Sequence, residues 1–294
     1  MKGRNPLKVK RKKVSRKLRE KSKKVRKKSE EIGRWTRIIQ VISIIAILAV
    51  LAGIIGLNKP SVNSGSHNYE GTTPLVDESK AVLIDGIAFT DPNPKFTRSI
   101  KEILNKANIT LDIYEGEEVT IDLLLRKIGG YGLIILRLHS AIDEKYGFLY
   151  IFSAEKYDKE VYNSKYAREE KKLYPGAIRE GITFKNESYF ALSADSLGYL
   201  GDKGLNGSII ILMGCNGTDS QQAINKLFER GVKAIIAWNG YVDLDHTDET
   251  IIELLKEVYE NHIDFPRAVE KIMKDKGADP VWKSKLEYIA NSGD

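Results

Sequence analysis

The sequence predicts an α/β domain whose mostly parallel sheet carries helices on both faces, preceded by one transmembrane helix. Three observations predict it. After residue 80, short continuous apolar runs alternate with segments of helical period, and such runs suit strands buried on both faces. A single apolar run of 20 residues occupies positions 38–57. Charge is divided sharply: residues 1–37 hold 18 Lys/Arg against 3 Asp/Glu, although the 294-residue chain carries a formal net charge of only +7.

The elements follow in order. Residues 1–37 form a basic tail without an apolar face, a solvated arm attracted to anionic lipid. A Lys/Arg run alone specifies no nucleic-acid partner, and none is expected. The run IIQVISIIAILAVLAGIIGL is interrupted only by Gln40 and Ser43, with Trp35 at its inner edge and Pro60 beyond it. It exceeds the apolar stretch of a cleaved signal peptide and lacks an A-x-A site, so it reads as a retained signal-anchor. The basic side is expected to stay in the cytoplasm and the C-terminal domain to lie outside a cell membrane crossed once. Residues 58–79, rich in Ser, Asn, Gly, Thr and Pro, read as a flexible linker. Residues 80–294 form the extracytoplasmic α/β domain.

Within that domain, strands are expected at 81–89, 109–116, 131–140, 206–217 and 232–240, with 147–155 as one arm of an outlying hairpin. Helices are expected at 94–108, where Phe96, Ile100, Ile103 and Leu104 share a face, and at 119–130, 218–231, 247–260, 264–276 and 280–290. Thr218 is the expected N-cap of the helix at 218–231, with Gly231 at its C′ position. Residues 156–200 are polar and Tyr-rich without a clear period, and their tyrosines read as packing or loop residues.

The single cysteine, Cys215, excludes an intramolecular disulfide, a CxxC redox motif and a cysteine-rich zinc site. No cofactor or metal is expected. Open parallel sheets place ligands beyond the carboxyl ends of their strands. His139 ends one apolar block, YGLIILRLHS, and Cys215 ends another, GSIIILMGCNG. If these strands are neighbours, an imidazole and a thiol share a rim, an arrangement suited to nucleophilic attack on a carbonyl. Backbone N–H groups of Ser140 and Cys215 are candidate oxyanion donors. The helix after Thr218 is expected to lower the pKa of the cysteine through its dipole.

The blocks LIILRLHSA and SIIILMGCNG, with the approach LSADSLGYLGDKGLNG, resemble the caspase-like cysteine peptidase superfamily of caspases, gingipains, clostripain and CHAT-domain proteins. The resemblance covers about residues 80–260. It implies a caspase-like fold and a thiol protease acting on a peptide or protein substrate outside the cell, with His139 as general base and Cys215 as nucleophile. It also places candidate substrate-binding residues after the strand ending at Trp238, namely Asp243 and Asp245; Trp238 is a further candidate, although it reads better as a packing residue. Ser140 departs from the glycine usual after the histidine.

Competing readings use the same residues. One is a non-catalytic surface module that binds or senses. MGCNG is half of a G-x-C-x-G nucleophile elbow, with Asp243 and His246 or His262 following in α/β-hydrolase order, though Met213 fills the first small position. A tyrosine-phosphatase loop fails because Gln221 stands where an arginine is required. Asp243, Asp245, His246 and Asp248 could suggest a metal site, but Thr247 and Asp248 read better as N-caps of the following helix. Sequons begin at Asn108, Asn186 and Asn216.

Overall fold

The computed structural model describes residues 76–291. The basic tail, the apolar run at 38–57 and the linker up to residue 75 lie outside the described residues. Among those described, no helix is long and apolar enough to cross a membrane. All of them belong to a unit spanning residues 71–294.

Two sheets form the domain. Strand β1 (Asp77–Asp85) leads into α1 (Pro94–Lys106), β2 (Thr110–Glu115), α2 (Ile121–Arg126) and β3 (Tyr131–Arg137). A second group follows: β4 (Ser140–Ile142), β5 (Leu149–Lys156), a short helical stretch over 159–170, β6 (Ile178–Ile182) and β7 (Ser188–Ser193). The chain then returns through β8 (Ile209–Leu212), α3 (Gln221–Glu229), β9 (Ala234–Trp238), α4 (Leu244–Tyr259), α5 (Phe265–Asp275) and β10 (Leu286–Ala290).

The main sheet has the order β10-β9-β8-β3-β1-β2, and every neighbouring pair is parallel except β10 with β9. The smaller sheet, β4-β5-β7-β6, is antiparallel throughout. Period-2 alternation divides the apolar runs between the two faces of the main sheet. Val82, Ile84, Ile134, Leu136, Ile210 and Leu212 pack toward α2, α3 and the second sheet. Ala81, Leu83, Leu133, Ile135, Ile211 and Met213 pack toward α1, α4 and α5. Each fully buried Ile or Leu contributes roughly 1.5–3 kcal/mol by leaving water, so both faces are strongly driven to be covered.

Local chemistry sets the helix starts. Asn93 accepts from the Phe96 N–H, with Pro94 as the first helical residue, and α1 buries Phe96, Ile100, Ile103 and Leu104 as its periodicity predicts. The start of α3 differs from expectation. Its N-cap is Ser220, whose oxygen accepts from the Ala223 N–H, while the Thr218 hydroxyl donates to Glu287. Gly231, at φ +81°, occupies the C′ position. Helix α4 begins earlier than the Thr247/Asp248 reading. Asp243 caps it, and Thr247 and Asp248 are buried within it.

The expected helix at 280–290 is replaced by a turn and a strand. The Asp279 carboxylate accepts from the N–H groups of Val281 and Trp282. The alternating run LEYIA then closes the edge of the sheet as β10. A polar turn followed by β-prone residues beside an open strand edge favours pairing over helix. The apolar strands also end sooner than their sequence runs: β1 at Asp85, β3 at Arg137 and β8 at Leu212.

Candidate active site

The register of the main sheet brings the two sequence-predicted groups to one edge. Strands β3 and β8 are parallel neighbours, with Leu133 opposite Ile209 and Leu136 opposite Leu212. Both strands end at the carboxyl edge of the sheet, β3 at Arg137 and β8 at Leu212, so the connections that carry His139 and Cys215 leave neighbouring strands at one edge. Ile135, Ile211 and Met213 all face α1, α4 and α5.

The two connections are bound tightly together. The Ser140 hydroxyl donates to the Cys215 carbonyl at 2.6 Å. A Cβ on Gly214 would lie 2.5 Å from the Leu138 carbonyl oxygen, so only glycine permits this approach. Asn216 follows in the left-handed region at φ +58°, which asparagine tolerates, and its amide donates to Asp219 at 2.7 Å.

The backbone donors fall where an oxyanion would need them. In the β4–β5 ladder the His139 carbonyl accepts from the Phe152 N–H at 2.9 Å, and the Asp143 N–H donates to Phe148 at 2.8 Å. Antiparallel alternation then turns the Ser140 N–H away from β5. Among the described residues, no hydrogen bond engages the Cys215 N–H. Among the same residues, none joins the His139 imidazole to the thiol.

Electrostatics set the resting protonation. His139 stands exposed at the rim beside a small crevice lined by Gly86, Thr90, Phe152, Ser153 and Tyr189. Burial of its ring lowers its pKa; Asp91 opposes this, and Lys185 and Arg137 add to it. Cys215 is half-buried. Burial pushes its thiol pKa up, the Val242 N–H facing the sulfur pulls it down, and Asp279 raises it further. The expected lowering by a helix dipole is therefore overturned: α3 starts only after Ser220, and desolvation prevails. Both shifts favour the uncharged forms, a neutral imidazole and a neutral thiol, over a standing ion pair.

Beneath the rim lies a buried charge cluster that composition and spacing did not reveal. Arg137, on the face that Leu133 and Ile135 share, donates to both Asp85 oxygens at 2.9 and 3.1 Å and to both Asp248 oxygens at 2.8 and 2.9 Å. It also donates to the Asp91 carbonyl at 3.1 Å, and all three charged side chains are no more than 2% exposed. Asp248 further accepts from Asn93, the cap of α1. One guanidinium thus ties β1, β3, α4 and the 86–93 connection together, two residues before His139. Its only sequence signal was a charged residue inside an apolar strand run.

The other candidate residues scatter. Trp238 is fully buried, and its indole N–H donates to Thr247 at 2.9 Å, so it packs the core and cannot line an open cleft. The Asp243 carboxylate is engaged in capping α4, accepting from Asp245 and His246 N–H groups, and Asp245 is exposed on the first turn. Among the described residues no group of three metal-ligating side chains assembles, and Asp248 is held by Arg137. His262 follows the far end of α4, a helix of 16 residues or about 24 Å, and is too distant to serve Cys215.

His246 is different. It begins α4 with its ring 5.3 Å from Trp238, and its Nε2 is buried with no hydrogen-bond partner among the described residues. Asp279 lies near both this residue and Cys215. A separate cleft of about 690 Å³ in the second sheet, lined by Tyr146, Phe148, Tyr150, Tyr157 and Tyr162 among others, includes neither His139 nor Cys215. The chain matches no protein-family model and has no significant sequence match among curated proteins.

Proposed function

We propose that this chain is a cysteine peptidase of caspase-like type, tethered to a membrane with its catalytic domain outside. Cys215 is the nucleophile, His139 the general base, and the N–H groups of Ser140 and Cys215 the oxyanion donors. The observation that supports the reading is the pairing of β3 with β8, whose adjoining connections carry His139 and Cys215, together with the Ser140 hydroxyl on the cysteine carbonyl. Both side chains emerge at the carboxyl edge of an open parallel sheet, where such sheets take their ligands.

The chemistry follows from the resting charges. As the sulfur attacks the substrate carbonyl, a C–S bond forms and the thiol proton passes to the imidazole. Negative charge on the carbonyl oxygen is met by the two backbone N–H groups. The C–N bond then breaks, and the imidazolium returns its proton to the leaving amine. Water, deprotonated by His139, hydrolyses the thioester and restores the thiol.

The test is labelling of the purified protein by a peptide carrying a ketone warhead. His139→Ala and Cys215→Ala should each abolish labelling. Labelling of Cys215 that ignores the His139 substitution refutes the dyad. A second reading rests on the unpartnered, buried Nε2 of His246: that imidazole, with Asp279 beside it, serves the thiol instead. His246→Ala would then abolish labelling and His139→Ala would spare it. If the thiol reacts with no peptide probe, the domain is a non-catalytic binding module.

A further inference from the structure

Beside the proposed rim, three large aromatic side chains from three separate loops meet in a row on the surface. Phe184 lies in the β6–β7 turn and is 82% exposed; Tyr241 follows β9 at 44%; Trp282 precedes β10 at 52%. Their ring centroids are 5.6 Å apart for Phe184 and Tyr241, and 5.3 Å for Tyr241 and Trp282. Val281, 62% exposed, extends the apolar surface. Single exposed hydrophobic residues need no explanation, but a contiguous patch marks a binding surface.

The row is fastened to both halves of the rim. Tyr241 lies between Gly240, whose carbonyl accepts from Asn216 at 2.8 Å, and Val242, whose N–H faces the Cys215 thiol. The Tyr241 carbonyl is held by the Ser284 hydroxyl at 2.5 Å. Phe184 adjoins Lys185, which pairs with Asp91 at 3.6 Å, and both charges act on His139.

Several acidic groups nearby are already committed. Asp243 caps α4, Asp279 holds the 281–282 turn, Asp91 pairs with Lys185, and Asp248 and Asp85 are sealed around Arg137. A basic substrate side chain finds no buried carboxylate there, and an acidic one finds only the solvated ammonium groups of Lys185, Lys283 and Lys285, whose attraction water screens.

We infer that the Phe184–Tyr241–Trp282 row is the specificity surface, selecting a large apolar or aromatic side chain on one of the two residues preceding the cleaved bond. This rests on the peptidase reading. Neighbouring rings, 5.6 and 5.3 Å apart, are spaced a little closer than same-side residues of an extended peptide, which rises ~3.3 Å per residue.

The experiment uses the full-length protein in detergent and dipeptidyl acyloxymethyl ketones bearing Phe, Leu, Asp or Arg, with iodoacetamide as a side-chain-blind reporter of Cys215. The Phe and Leu probes should label Cys215 about tenfold faster than the Asp and Arg probes, the discrimination an apolar contact supplies. Tyr241→Ala and Trp282→Ala should each erase that preference while the iodoacetamide rate stays unchanged. Equal rates for all four probes, or a preference that survives both substitutions, overturn the inference and leave the dyad standing. Loss of labelling by every peptide probe, with iodoacetamide still reacting, overturns the peptidase reading and this inference together.

Discussion

Replacing Arg137 with Met should leave two buried carboxylates, Asp85 and Asp248, facing each other with no cation between them. Arg137 makes five hydrogen bonds, four of them to these carboxylates, and each of the three side chains is no more than 2% exposed. Removing one partner of such a buried pair costs about 3–5 kcal/mol, because the surviving charges stay desolvated. For a domain of roughly 200 residues, each kcal/mol shifts Tm by about 2–4 °C, so the loss should be about 6–20 °C by calorimetry. Burial already raises the pKa of Asp85 against the pull of Arg137. In the variant that rise should grow, so the deficit should be full only above the raised pKa and shrink as pH falls through it toward the ordinary carboxylate value and the proton is taken up. A triple change, Arg137→Met with Asp85→Asn and Asp248→Asn, should recover much of the loss. A Tm within 2 °C of the parent for Arg137→Met alone would refute the account of the cluster as a desolvated clamp.

Gly214→Ala puts a methyl 2.5 Å from the Leu138 carbonyl and should displace Cys215, cutting peptide-probe labelling by about 10²-fold, as measured by mass spectrometry. Asp243→Ala removes the N-cap of α4 and should cost about 1 kcal/mol in denaturant unfolding, while Asp243→Ser retains most of it and neither alters probe selectivity. Because burial lowers the His139 pKa, the folded state favours the neutral ring. Its contribution to stability is complete above the ordinary imidazole value and is lost as pH falls through the lowered one, so His139→Gln should flatten the Tm profile on the acid side of about pH 6.5. The raised thiol should make iodoacetamide alkylation of Cys215 slow at pH 7 and climb through pH 9, and a rate plateau near neutrality would mean a standing thiolate instead.

Much of the fold was legible because a strand buried on both faces leaves a continuous apolar run and a surface helix leaves a 3.6-residue period. The runs ending near Arg137, Leu212 and Trp238, and the face of α1, all appear where those patterns place them. The second sheet was legible only as one arm, since β6 and β7 carry mixed polar and apolar residues whose meaning depends on what they cover. Residues 280–290 misled for a related reason. LEYIA suits either element, and the open edge of β9 decided for a strand.

Sequence by itself determined the charge-split tail, the apolar run, the α/β alternation and the two reactive side chains at strand ends, because each is a local pattern of hydropathy or residue type. Tertiary structure alone decided that β3 and β8 are neighbours, that Arg137 holds carboxylates from residues 52 behind and 111 ahead of it, and that three aromatic rings from distant loops form one surface. It also decided the state of the cysteine. A helix start nearby in sequence suggests a lowered pKa, but desolvation depends on what packs around the sulfur, and that is a property of the folded chain.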